Sequence, residues 1–150
     1  MNHAVALLIR HVDPALLQGE VNALRLTLHP QGLAPKILNL VEWRDHILRR
    51  LRHDIDLSAD PRLTALHDEL LAYPLPKSRR AAKSEQPNPA IAIPMMMSTS
   101  KGRLSFLSAT TVFGTAVDVT LSEIVIETFL PSDQFTANVL RDFSATYLAD

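Results

Sequence analysis

Cysteine does not occur in the chain. That excludes a disulfide framework, a thiolate zinc site and a cysteine nucleophile, and it fits a reducing compartment. Glycine is scarce, with 4 residues and no cluster among them, so no phosphate-cradling glycine loop exists. An excess of charge is missing too. The 15 basic and 16 acidic residues leave a net charge of −1, which rules out a strong overall attraction to nucleic acid or an anionic membrane, though not a local patch. Long apolar runs are also absent. The longest uncharged stretches, 86–100 and 104–117, are broken by prolines and by Gly114, and neither approaches the roughly 20 apolar residues of a membrane span. The apolar stretch 4–9 is shorter than the h-region of a signal peptide, about 7–15 residues. These absences together predict a soluble, cytoplasmic protein without a membrane partner.

What is present suits one domain with a small appendage. The 150 residues are 47% hydrophobic and 21% charged, and a chain of this length buries roughly 70% of the surface its unfolded form exposes. Residues 4–12 read as a short helix ending at Asp13-Pro14. Over 22–29, Leu24, Leu26 and Leu28 alternate with Arg25 and Thr27, which predicts a half-buried strand, stopped by the turn His29-Pro30-Gln31-Gly32. Pro35 suits a first helical position. From there Ile37, Leu40, Val41, Ile47, Leu48 and Leu51 follow the 3.6 period, broken only at Arg44, and predict a helix over 35–54. Asp60-Pro61 offers an N-cap and first-turn pair for a second helix ending at Pro74.

Residues 74–90 hold four prolines and a basic knot of Lys77, Arg79, Arg80 and Lys83, which predicts a flexible surface loop. No aromatic residue is interleaved there, so solvation is favoured over nucleic-acid contact. Beyond it, 90–99, 103–113 and 123–130 are rich in Ile, Val, Met, Thr and Phe. They predict three strands, the first two joined by a hairpin at Lys101-Gly102. Pro94 places its strand at an edge or bulge. The second strand carries apolar residues on both parities and is expected in the centre. A helix over 133–143 closes the chain. The order predicts an α+β fold with an antiparallel sheet that includes strand 22–29, the middle helices on one face and the terminal helices on the other.

Few constellations carry chemistry. His46 and His53 share a helix face but lie roughly 10 Å apart, too far for one metal ion, and HExxH is absent. No metal site or cofactor is expected. Ser108, Thr110 and Thr111 lie inside a strand without the glycines of a nucleophile elbow, so cross-strand hydrogen bonds are their expected use, with pocket lining next. Glu123 and Glu127 share a parity and are expected to pair with arginines on a neighbouring strand. No acid–base pair stands out, and the chain is expected not to be an enzyme. Trp43 reads as a rim residue or a pocket wall.

Four phrases occur in order: HVDPALL (11–17), VNALRLTLHPQGLAPKILNLVEWRDHILRRLR (21–52), LLAYP (70–74) and LSFLSATTVFGTAVDVTLSEIVIETFLPSD (104–133). Together they resemble the MmyB-like C-terminal ligand-binding domain of Xre-type helix-turn-helix transcriptional regulators, over about residues 11–140. The resemblance implies a PAS-like antiparallel sheet with helices packed across it, and a small, often lipid-like effector. It divides the chain into a helical linker, 1–20, and a PAS-like ligand-binding domain, 21–150. The DNA-binding helix-turn-helix of such regulators has no counterpart in these residues. DNA is therefore expected as a partner only through that missing reader, and specific duplex binding by this chain is not expected.

Two readings follow. In the first the domain senses a fatty-acid-like effector. In the second it is a dimerisation or scaffolding module with a filled core, and a homodimer is possible under either. Strand parity turns Asn22 toward the leucines. Lys36 falls where the resembled domains often carry a basic residue, at a helix start whose free N–H groups favour anions. An anionic headgroup between Asn22 and Lys36 is expected, with Ile37, Leu40, Trp43 and Ile47 lining a tail channel against Leu107, Thr111 and Phe113 of the sheet.

Overall fold

Among the described residues, the late, β-rich part of the chain forms three strands, β1 (Met95–Thr99), β2 (Gly102–Phe113) and β3 (Ile124–Pro131). The fold comes from a computed structural model, which describes residues 6, 8–19, 21–75, 93–113 and 124–147; of 110–113, 124–126, 146 and 147 it describes the backbone alone. Both strand pairings are antiparallel and β2 is central, with β1 at an edge, as Pro94 and the two-sided pattern of β2 predict. Gly102 takes φ 118° in the hairpin turn, a conformation that side chains resist.

Register fixes which residues face the core. Met95 lies opposite Phe106 and Met97 opposite Leu104, and all four are buried. Further along the same face, Phe129 of β3 meets Phe106 edge-to-face at 6.4 Å, and Ser108 pairs with Phe129. Successive residues alternate faces, so the even-numbered residues of β2 look inward.

The sheet is accompanied by the helices α1 (Ala23–Leu28), α2 (Leu40–Ser58), α3 (Pro61–Ala72) and α4 (Gln134–Tyr147), with 3-10 turns at Pro14–Leu17 and Ala34–Lys36. Helix α2 buries Leu40, Trp43, Arg44, Ile47, Leu51 and Ile55, the 3.6-period stripe read from the sequence. Arg44 breaks that stripe by donating from Nη2 to the Leu71 carbonyl at the end of α3. Asp60 caps α3 by accepting from the Arg62 N–H at 2.8 Å, with Pro61 behind it as expected. Leu8 and Val12 join the same core, and the Arg10 guanidinium lies 5.2 Å from the Phe143 ring centre. Helix α4 packs on β2 and β3. Its buried Thr136 hydroxyl accepts from the Ser105 N–H at 2.9 Å, and Asp133 accepts from the Thr136 N–H at 2.7 Å.

Two expectations are corrected. Residues 22–29 are not a strand: 23–28 form α1, and the sheet has three described strands instead of four. Asn22 nucleates the helix by accepting from the Arg25 N–H at 3.0 Å, and Thr27 Oγ1 donates to the Ala23 carbonyl at 2.7 Å. Six residues are too few to separate a period of 2 from one of 3.6. Leu24, Leu26 and Leu28 all find apolar contacts because the short helix is covered on several sides.

The main helix also starts later, at Leu40 instead of Pro35, and runs to Ser58. Sheet pairing competes for the intervening residues. Ile37 bridges Met97, and the Leu38 N–H donates to the Met96 carbonyl at 2.7 Å. The Asn39 side chain completes this pairing, donating to the Pro94 carbonyl at 2.8 Å and accepting from the Met96 N–H at 2.9 Å. Residues 37–39 thus cover the outer edge of β1. The proline-rich loop with Lys77, Arg79, Arg80 and Lys83, and also Gly114 and Glu123, lie outside the described residues.

Candidate functional site

On α2, Trp43, His46 and Arg50 are spaced i, i+3, i+7 and so lie along one helix face. Opposite them the inner face of the sheet presents Ser108 and Glu127. Glu127 Oε1 accepts from the Ser108 hydroxyl, and Oε2 lies 3.4 Å from Arg50 Nη2. The Glu127 side chain is only 9% exposed and that of Arg50 29%. A carboxylate so enclosed is tolerated because it is both hydrogen-bonded and paired.

The Trp43 and His46 rings are tilted against each other, with centres 5.7 Å apart. Burial holds the His46 imidazole below its ordinary pKa, and the charges of Arg50 and Arg49 push the same way against the opposing pull of Glu127. The balance favours the neutral ring. Trp43 is 1% exposed, and its indole N–H has no hydrogen-bond partner among the described residues. A buried donor left unpaired costs about 1–3 kcal/mol. Such a donor is a place where an added acceptor gains free energy.

A second feature is an open cleft of about 90 Å³ between the N-terminal segment and the turn after α1. Leu8, Val12 and Leu33 form its apolar wall, and His11, Gln31 and Lys36 bring polar groups to it. Gly32 also lines it, and the turn there has no room for a side chain. A Cβ there would stand 2.1 Å from the Leu26 carbonyl oxygen. The wall residues belong to the main core cluster, so the cleft is an opening onto that core.

The structure distributes the sequence-predicted site residues as follows. Lys36 lines the cleft, at the end of a 3-10 turn and not at the start of α2. Asn22 caps α1, its Oδ1 already accepting from the Arg25 N–H. Ile37, Leu40, Trp43 and Ile47 come together in the buried core. Leu107 pairs with Leu130 and, by alternation, lies on the sheet face away from Phe106 and α2. Thr111 and Phe113 lie in β2, and their side chains fall outside the description. Ser108 forms the cross-strand bond expected of it, whereas the arginine that pairs with Glu127 is Arg50 of α2 and not one of a neighbouring strand.

Sequence reasoning passed over Asn39, the alignment of His46 and Arg50 with Ser108 and Glu127, and a tie between α1 and α3. In that tie Arg25 donates twice to Glu69, both at 2.7 Å, and the Tyr73 hydroxyl donates to the same carboxylate. These bonds pull Glu69 down to about 2, while burial and the bond to Glu69 push Tyr73 up to about 12. The helical spacing of residues 43, 46 and 50 was a usable signal for the polar face. Nothing in the sequence announced the Arg25–Glu69 pair, because its partners are 44 positions apart.

Among the described residues no group of three or more His, Asp or Glu is placed to hold a metal ion, and no helix is long and apolar enough to cross a membrane. Neither the curated proteins nor the solved structures contain a match to the chain. A family model does match, over residues 1–143, and its description is "MmyB-like transcription regulator ligand binding domain". An α+β domain with an open cleft leading to its core, matched over nearly its whole length, belongs to the MmyB-like transcription regulator ligand-binding domain family.

Proposed function

We propose that this domain is a PAS-like sensor that binds a small apolar, fatty-acid-like effector on behalf of a transcriptional regulator. The observation that carries the reading is the cleft: apolar walls continuous with the core, and a lysine at the opening. An anionic headgroup sits at Lys36 and the first carbons against Leu8, Val12 and Leu33. At about 90 Å³ the cleft is smaller than the roughly 300–1,000 Å³ of pockets that enclose a drug-sized ligand. The rest of the tail therefore needs the core to yield. Met95 and Met97 suit that role, since unbranched thioether side chains repack more readily than branched ones. Each buried methylene contributes about 0.8 kcal/mol, so the tail sets most of the affinity and the head its orientation.

Titration with dodecanoic acid and dodecanol, followed by native mass spectrometry, tests this. The lysine is exposed in the free domain, and a contact of this kind is worth about 1 kcal/mol. Lys36→Met should weaken the acid about fivefold and leave the alcohol nearly unchanged. Equal loss for both removes the anionic head, and no uptake of either chain removes the effector reading.

The second reading, a dimerisation or scaffolding module, draws on the tight interior: Ile37, Trp43, Met95, Met97, Leu104 and Phe106 are all at most 1% exposed. A chain that sediments as a monomer and takes up dodecanoic acid argues against it.

A further inference from the structure

The geometry points to a second contact for the effector, the buried indole N–H of Trp43, and hence to an acyl chain that carries a neutral oxygen function, a hydroxyl or keto group, partway along its length. This inference rests on the fatty-acid reading above and specifies the chemistry of the chain.

The donor is unusual in its setting. Among the described residues Ser108 and Arg50 both engage Glu127, and Arg44, whose Nε is the other buried unpaired donor, already donates from Nη2 to the Leu71 carbonyl. Trp43 Nε1 is enclosed and has no acceptor among the described residues. A Trp side chain that served packing alone would normally place its N–H against a carbonyl or water. Electrostatics decides which oxygen fits. Arg50 and Glu127 form an ion pair, and their charges cancel. The His46 ring, tilted against that of Trp43, is shifted by burial toward its neutral form. Arg49, whose charge also reaches His46, is exposed to solvent. A carboxylate brought here would face Glu127 without a buried cation of its own and would remain charged in an enclosed space, which is costly. A hydroxyl or ketone accepts the indole hydrogen without that cost. Lys36, in a different part of the fold, remains the cation for the acid end. The two contacts select different parts of one molecule.

Trp43 is the chain's one tryptophan, so a single indole N–H resonance reports on this contact. Dodecanoic acid and a set of dodecanoic acids bearing one hydroxyl or keto group at successive mid-chain carbons are titrated into the 15N-labelled domain. The oxygenated chain of correct position should bind about tenfold tighter than dodecanoic acid and move the indole proton downfield, while dodecanoic acid leaves it unmoved. Trp43→Phe keeps an aromatic side chain, smaller by the pyrrole ring, and removes the donor. It should bring the preference for the oxygenated chain over the plain acid to about one. If that variant does not fold, the indole shift of the unaltered domain decides. Binding of plain and oxygenated chains with equal affinity and no indole shift overturns this inference and leaves the fatty-acid reading standing. Failure of every chain to bind, dodecanoic acid included, overturns both.

Discussion

Replacing Asn39 with alanine removes the side chain that joins the start of α2 to the edge of β1. The side chain makes two hydrogen bonds to backbone, to the Pro94 carbonyl at 2.8 Å and from the Met96 N–H at 2.9 Å. Its third contact, to Glu42 at 3.3 Å, is exposed and worth little. Each backbone bond contributes about 1 kcal/mol net, and more when the abandoned group is shut off from water. Pro94 and Met96 are half-buried, so water reaches part of what is left behind. The expected loss is about 2 kcal/mol, which for a domain of this size lowers Tm by about 4–8 °C. Urea denaturation followed by circular dichroism measures it. Leu38→Ala serves as a control. Leu38 takes part through its backbone N–H while its side chain is exposed, so its truncation should cost well under 1 kcal/mol. Asn39→Asp adds a sharper test, because it keeps the acceptor for Met96 and turns a carboxylate oxygen toward the Pro94 carbonyl. It should be at least as unstable as the alanine variant. An aspartate variant as stable as the parent, or an alanine loss below about 0.5 kcal/mol, would refute the claim that this side chain completes the strand pairing.

Two further outcomes follow from the packing around α1. Glu69 is held at about 2 by Arg25 and Tyr73, below its ordinary carboxylate value, so its contribution is complete above that ordinary value and is lost as pH falls toward 2. With Arg25 42% and Glu69 36% exposed, screening leaves about 1 kcal/mol. Glu69→Gln should therefore destabilise by about that much at pH 7 and by almost nothing at pH 2; a difference that stays constant across that range in parallel urea titrations would contradict it. Gly32→Ala drives a methyl to 2.1 Å from the Leu26 carbonyl oxygen, which is backbone and cannot rotate away. A loss of about 3 kcal/mol is expected, and a loss below about 1 kcal/mol in the same assay would show that the turn yields.

The parts of the fold that the sequence disclosed are those with long or punctuated patterns. The stripe of α2 repeats over five turns, Asp60-Pro61 is a start signal with a mechanism, and the strands around Lys101-Gly102 are marked by a glycine turn. The part that misled is α1, where two turns of helix carry leucines at every second position and the deciding interactions are the Asn22 cap and a distant Glu69. The start of α2 misled for a related reason: Pro35 is a sound helix signal locally, but strand pairing by residues 37–39 outweighs it. Of the candidate site, the aliphatic cluster around Trp43 was legible from helical spacing. The inward parity of β2 was not, because both parities are apolar, and the burial of Leu104 and Phe106 opposite Met97 and Met95 identifies it.

The covering of β1 by residues 37–39 also bears on how this chain behaves in a crowded solution. An uncovered strand edge is a template for the next chain, and fibrous growth needs such an edge at both sides of a sheet. Here the positions from Pro94 to Met97 already have partners from their own molecule. A neighbouring chain can add to that side only after the 37–39 segment has been lifted off together with the start of α2. On that side of the sheet, backbone pairing between molecules has to compete with a partner already in place.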